Sequence, residues 1–272
     1  MSASSVDPHL IEQLRKLQEK YAVMGQDISS YLDGLLYSDY LTYWDYIHTD
    51  TLLSLQNPKT SFPDEKIFIL YHQITELYFK LILHEMEQIA QNEAIDESFF
   101  ISRLDRIIRY FRLLENSFAV MVDGMDKEQF LKFRMSLLPA SGFQSAQYRM
   151  IEITSTSLIN LTDEASRADL GQEHDVKKLI ERLYWRSGAT ELASGKKTLT
   201  LIQFEEKYLS TFCELAEKYK HTNLYRVYES RFEHSAQKEE IKNRLREFDE
   251  LANVKWRMAH LRSAGRYLQK SP

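Results

Sequence analysis

The sequence predicts an all-α fold, a helical bundle around a roomy, aromatic-lined interior, and three observations carry that expectation. With 272 residues, 43% hydrophobic and 28% charged, the chain can bury a sizeable core as one large domain or two intimate ones. Only 8 Gly and 5 Pro stand against 16 Tyr and 14 Phe, so chain breakers are few and flat, bulky side chains many. Apolar residues recur at three- and four-residue steps along nearly the whole length, which is the period of an amphipathic helix rather than a strand.

Taken in order, Leu10, Leu14, Leu17, Tyr21 and Met24 keep helical spacing and predict one amphipathic helix from Pro8 to about Leu36. Residues 1–40 are expected to form an N-terminal arm that packs on another helix or a neighbouring subunit. The tyrosine-rich turn L-T-Y-W-D-Y (Leu41 to Tyr46) precedes a short helix that ends near Asn57-Pro58, because proline restricts the residue before it. Ser61, Pro63, Asp64 and Glu65 open the next helix with acidic groups at its positive end, and it runs to about Asn92. Asp96 to Val122 reads as a third long helix, interrupted at Asp123-Gly124, and Lys127 to Leu138 as a fourth that ends before Pro139. After the turn P-A-S-G-F-Q-S, Ser145 to about Asn160 resumes the helical pattern. The stretch from Thr162 to Lys197 is polar and contains Gly171 and Ser194-Gly195, so 160–200 reads as a small excursion from a single domain over 1–272. Two further helices cover Leu199 to His221 and about Lys238 to Leu268.

A net charge of -5 with both signs interleaved offers no patch that grips phosphate backbones, so nucleic acid is not expected as a partner. The single cysteine, Cys213, leaves no internal disulfide and no all-cysteine metal site. No signal peptide or long apolar run stands at the start, and a cytoplasmic protein without membrane contact is expected.

Three polar residues sit on otherwise apolar helix faces: His72 in F-I-L-Y-H-Q, Arg134 in F-L-K-F-R and His260 in W-R-M-A-H. Such placement suits a flat cofactor and an aromatic amino acid held inside a bundle. Phe68, Thr75 and Phe79 share the helical face of His72. A neutral imidazole there is a good hydrogen-bond partner for a ligand; the alternative is a core histidine bonded to a backbone carbonyl. Arg134 follows Phe130 by four residues, and its fork suits a carboxylate held beside the rings; the alternative is an ion pair with Asp126 or Glu128. His260 lies between Trp256 and Ala264 on a helix that also carries Arg257, Arg262 and Arg266, which could meet acidic groups such as porphyrin propionates. It reads as a metal ligand or as a satisfied structural histidine.

Spacing removes other metal schemes. No histidine has Glu three residues before it, so the Glu-x-x-His pair of di-iron bundles is missing. His84-Glu85 has Gln88 where a zinc-protease helix needs its second histidine. Cys213 is outside any Cys-x-x-Cys-His run. One axial histidine on a non-covalent haem survives these exclusions.

The segments L-T-Y-W-D-Y, P-D-E-K-I-F-I-L-Y-H-Q-I-T-E-L-Y-F-K, F-L-K-F-R, P-A-S-G-F-Q-S-A-Q-Y-R-M-I-E and W-R-M-A-H-L-R closely resemble, in the same order, the tryptophan 2,3-dioxygenases. The resemblance runs from about Asp39 to the end, dense over 41–152 and 253–268 and thin over 160–250. It implies that His260 is the axial ligand of haem b, with Trp256 and Gly142 beside the cofactor and the opposite iron face open to O2. It implies that His72 hydrogen-bonds the indole N–H, that Phe68 and Phe130 pack the substrate ring, and that Arg134 clamps the carboxylate. Ser141 and Gly142 match the turn near the amino acid end of the substrate. Tyr43 and Tyr46 match tyrosines contributed by a neighbouring subunit, and the implied assembly is a homotetramer, a dimer of dimers.

The implied reaction inserts both atoms of O2 across the C2–C3 bond of L-tryptophan to give N-formylkynurenine, on ferrous haem and without an external reductant per turnover. Two rival readings stay open: a haem mono-oxygenase or hydroxylase of the same fold acting on a substituted tryptophan or tyrosine, and a non-catalytic helical protein that binds haem or a partner. Two positions depart from the pattern. Tyr78 stands where the family usually has tryptophan, and the family continues past the ligand helix into a Gly-Thr-Gly-rich loop, whereas these residues end at Pro272. The expectation is that the natural protein has a further tail, because ending about three helical turns past a cofactor ligand is odd.

Overall fold

A computed structural model describes residues 7–37, 42–134, 145–171, 175–187 and 197–268. Its fold is all-α: among the described residues the only β-type pairing is an isolated bridge between Thr162 and Leu183. The chain divides into two units, residues 1–55 and 56–272.

The first unit holds α1 (Pro8–Val23), α2 (Ile28–Tyr37), α3 (Tyr43–Tyr46) and α4 (Thr49–Leu53). The single helix expected over Pro8 to Leu36 is thus two. Gly25 takes a left-handed φ of 66°, its N–H bonds to the Ala22 carbonyl at 3.0 Å, and the Gln26 N–H reaches back to the Tyr21 carbonyl at 2.9 Å. That reciprocal pair closes a helix C-terminus in the Schellman manner. Asp27 then accepts from the Ser29 N–H at 3.0 Å and so opens α2. No residue of α1 is buried, and Leu10, Ile11 and Leu17 lie exposed.

The second unit is built on α5 (Asp64–Gln91), which packs along α6 (Glu97–Ser117) and α9 (Ala146–Ser155). Buried Glu65 fixes where α5 begins. Its carboxylate accepts from the Lys59 N–H at 2.7 Å, the Thr60 N–H at 2.7 Å and the Thr60 hydroxyl at 2.5 Å. Burial pushes its pKa up, but these bonds and the Lys59 charge overcome that and leave it lowered. Further along, α5 buries Phe79, Ile82, Met86 and Ile89 against Phe100, Leu104, Ile107, Phe111 and Leu114 of α6. Glu85, 2% exposed, is held there by Arg103 at 3.0 Å and Arg106 at 3.3 Å.

The expected third helix breaks at Phe118 into α6 and α7 (Ala119–Val122), and α8 (Lys127–Phe133) follows. Residues 160–200, expected as a polar excursion, contain a 3-10 turn (Leu158–Leu161 leads into it), α10 (Glu164–Arg167), α11 (Val176–Glu181) and α12 (Tyr184–Ser187). Val176, Leu179, Ile180, Leu183 and Trp185 of this stretch are buried in a second apolar cluster with Leu201, Phe204 and Phe212 of α13 (Leu199–Lys218). Next comes α14 (Leu224–Arg231), an element the sequence reading omits, capped by the side chain of Asn223. The last long helix is composite: α15 (Lys238–Asp249), a π-helical segment Glu250–Lys255, and α16 (Trp256–Leu268). In the π segment the Trp256 N–H bonds to the Leu251 carbonyl, five residues back.

Candidate functional site

One end of the second unit, where α16 packs on α6, α7 and α8, is an aromatic wall. Tyr71, Phe118, Met121, Met125, Phe133 and Tyr267 are buried together, and Phe68, Phe130 and Trp256 are partly covered against them. His72, Arg134 and His260 stand on the helices that make this wall.

His72 lies one turn beyond Phe68 on α5, its ring centroid 4.0 Å from the Phe68 ring. Its Nδ1 is 2.8 Å from the Phe68 carbonyl oxygen. A carbonyl oxygen can only accept, so the proton of a neutral ring belongs on Nδ1, and Nε2 keeps a free lone pair. Water reaches the ring, yet the protein around it disfavours charge: burial lowers its pKa by more than the Phe68 carbonyl and Glu76 raise it. The structure thus shows the carbonyl bond of the core-histidine reading, made by one nitrogen only. That bond orients the other nitrogen as an acceptor. Thr75 and Phe79, expected beside His72, are buried in the core instead.

His260 is half-buried on α16. Burial lowers its pKa, and the nearby His72 lowers it further, so the two imidazoles lie close enough to interact electrostatically. The Phe118 ring meets it edge-on at 6.1 Å, and the Trp256 ring lies near-parallel to it at 6.0 Å and 25°. Among the described residues nothing hydrogen-bonds to its ring.

Arg134 caps α8, half-buried, with its guanidinium carbon 5.9 Å from the centre of the Phe130 ring. The alternative ion pair is not formed among the described residues. Asp126 instead accepts from the Gln129 N–H at 2.9 Å and starts α8. Phe130 faces Phe68 at 6.3 Å, so the expected ring-packing pair is brought together.

Tyr43 and Tyr46 belong to the first unit, on α3, where they are 73% and 71% exposed. Ser141 and Gly142 lie outside the described residues. One expectation is corrected: Arg257 does not face the site as a propionate partner. Its guanidinium is taken up by α9, where it donates to Tyr148 at 3.1 Å and to Glu152 at 2.8 Å.

Sequence reasoning missed Phe118, Met121 and Tyr267. Tyr267 packs on Phe130 at 4.4 Å and its hydroxyl bonds to the Met121 carbonyl. Its signal was present, since a residue seven positions after His260 shares its helical face. Phe118 carried no such signal, because it lies at a break between two helices.

The residues present fit the haem that the resemblance implies. An axial ligand must offer a neutral imidazole nitrogen that no protein group claims, and His260 is held towards neutrality with no hydrogen bond among the described residues. Its surroundings are the flat rings of Phe118 and Trp256, which suit a planar macrocycle. Among the described residues no group of three or more His, Cys, Asp or Glu could hold a bare metal ion, and no helix is long and apolar enough to cross a membrane.

Comparison with known proteins points the same way. Residues 33–158 match the family model described as tryptophan 2,3-dioxygenase. A tryptophan 2,3-dioxygenase of Sorangium cellulosum is 39% identical over 152 residues, covering 52% of this chain and 35% of the relative. One from Ruegeria is 40% identical over 119 residues, 43% of this chain and 42% of the relative. Tryptophan 2,3-dioxygenase A of Danio rerio is 31% identical over 188 residues, 65% of this chain and 42% of the relative. The chain thus spans less than half the length of each of these three relatives.

Proposed function

We propose that this chain, which matches the tryptophan 2,3-dioxygenase family model over residues 33–158 and is similar to dioxygenases of that family, belongs to that family and is itself a haem-dependent dioxygenase. On this reading it inserts O2 across the C2–C3 bond of L-tryptophan to give N-formylkynurenine, the first step of tryptophan catabolism along the kynurenine pathway. The observation that carries the reading is the placement of two histidines beside one aromatic wall, His72 against Phe68 and His260 against Phe118 and Trp256. His72 has Nδ1 engaged by the Phe68 carbonyl and Nε2 left as an acceptor, and the His260 ring has no hydrogen bond among the described residues.

Each residue has a distinct task. His260 holds the iron of a non-covalent haem b, against Trp256, with Gly142 on the cofactor as well. When bound in the ferrous state, the haem supplies the oxygen chemistry. His72 accepts the indole N–H at Nε2 and so sets which edge of the ring turns towards the cofactor. Phe68 and Phe130 sandwich the ring and exclude water from it. Arg134, with no carboxylate partner among the described residues, takes the substrate carboxylate, and its fork selects an amino acid over an amine. Ser141 and Gly142 serve the amino acid end of the substrate. These are effects of positioning, which shorten the search for a reactive geometry without any proton needing to leave the indole nitrogen.

The exposed Tyr43 and Tyr46 complete the pocket of a neighbouring subunit, in a cytoplasmic homotetramer built as a dimer of dimers from the domain 1–272, with 1–40 as its intersubunit arm. The test is direct. The protein is loaded with haem, reduced, and given L-tryptophan in air while oxygen uptake and product mass are followed. A product heavier by two oxygen atoms supports the reading, a gain of one oxygen atom points to a mono-oxygenase, and haem loading without turnover of tryptophan refutes the assigned substrate.

A further inference from the structure

Metal-bound histidines are usually held in orientation by a hydrogen bond to the nitrogen that does not bind the metal. His260 has none among the described residues, so its ring plane is set by packing, and the neighbour that lies parallel to it is Trp256. Trp256 is equally unsupported by hydrogen bonds, since its buried indole N–H has no partner among the described residues. What holds Trp256 is a stack on Tyr148 of α9, at 4.8 Å and 27°, with Phe79 edge-on at 5.4 Å.

Tyr148 is in turn fixed at its hydroxyl from two sides. It donates to the Ala252 carbonyl in the π-helical segment at 2.9 Å, and it accepts from Arg257 Nε at 3.1 Å. Arg257 is anchored by Glu152, which also accepts from Arg149 at 2.7 Å and Tyr184 at 2.6 Å. Glu152 is 8% exposed and Arg149 7%, so the cluster is a buried one whose members have few alternative partners.

We propose that Arg257 and Tyr148 are positioning residues for His260: the Glu152–Arg257 fork locks the Tyr148 ring, the Tyr148 ring locks Trp256, and Trp256 fixes the plane of the imidazole. This rests on the reading of His260 as an axial haem ligand. The π-helical segment belongs to the same device, because it presents the Ala252 carbonyl to Tyr148 one turn before Trp256. A stack transmits orientation where a hydrogen bond would ordinarily do so. Neither Arg257 nor Tyr148 touches substrate or iron in this assignment.

The experiment uses the full chain loaded with haem and compares Tyr148→Phe, which keeps the stack and removes the hydroxyl, with Arg257→Lys, which keeps the charge and removes the fork. Arg186→Lys serves as the structural control, because Arg186 is also buried and pairs with Glu205 at 2.5 Å, within the second apolar cluster. The iron–histidine vibration of the ferrous protein reads the imidazole directly, and transfer of haem to an excess of acceptor protein reads retention. The first two variants are expected to shift and broaden the vibration and to lose haem faster by on the order of ten-fold. Arg186→Lys is expected to lower thermal stability and leave the vibration as in the parent. If Tyr148→Phe and Arg257→Lys both leave the vibration unmoved, or if Arg186→Lys moves it equally, the positioning role is overturned. A parent protein with no iron–histidine vibration would instead overturn the haem reading itself, and this inference with it.

Discussion

Replacing Arg134 by Leu separates recognition of the carboxylate from everything else at the site. The guanidinium is half-buried and has no carboxylate partner among the described residues, and on the proposed reading it takes the substrate carboxylate. A hydrogen bond to a charged group contributes about 1.5–3 kcal/mol, and partial exposure to water argues for the middle of that range. A loss of about 2 kcal/mol corresponds to about a 30-fold rise in the tryptophan concentration needed for half-maximal rate. The leucine keeps the apolar contact with Phe130, so the ring-packing part of the site should survive. Initial rates of product formation are measured across a tryptophan series and, in parallel, across a tryptamine series, which lacks the carboxylate. The parent should favour tryptophan strongly, and the variant should lose that preference while handling tryptamine as the parent does. An equal weakening towards both compounds, or an unchanged preference, would refute the carboxylate clamp.

The remaining expectations are independent of one another. His260→Ala should abolish the parent haem spectrum while leaving the helical circular dichroism in place, and a variant with parent-like iron coordination would remove His260 as axial ligand. His72→Ala should lower activity and loosen discrimination among indoles without abolishing turnover; complete inactivity with haem and tryptophan still bound would make His72 a required base. Both histidines have their pKa lowered in the folded chain, His72 by burial and His260 by burial and by His72. Below the unfolded value of about 6.5 the unfolded chain therefore binds more protons than the folded one. Stability of the haem-free protein should fall as pH drops from about 6.5, and urea midpoints should show a smaller drop in a His72→Phe, His260→Phe double variant; an identical drop in that variant would assign the effect to other groups.

Much of the fold was legible because periodicity and capping agree. For α5 the acidic start at Asp64 and Glu65, the four-residue apolar steps and the polar end at Asn92 all point to one element. The break in the first helix was hidden because Tyr21, Met24 and Ile28 keep the apolar rhythm across Gly25, and only the positive φ of that glycine ends α1. The eight-residue α14 offers too few apolar positions for its period to stand out, and the π-helical segment leaves no trace in composition. Within the site, His72, Phe68, Phe130, Arg134 and His260 were readable as polar or aromatic residues on apolar faces. Their orientation was not. Whether an imidazole nitrogen is tied to a carbonyl, or an arginine turns to Glu152 rather than to a cofactor, depends on which helix lies opposite, and local spacing does not encode that.

Helix α9 has a further consequence. It turns Tyr148 and Ile151 into the apolar cluster that backs the site and turns Ala146 and Ile153 into the other, so it works as a party wall between two rooms. Change in one room, such as a lengthened loop or an exchanged short helix between 160 and 183, meets the wall chiefly at Tyr184, whose hydroxyl bonds to Glu152 at 2.6 Å. Evolution can therefore redecorate most of one side of this molecule, provided Tyr184 is kept, while the histidines on the other side keep the same address.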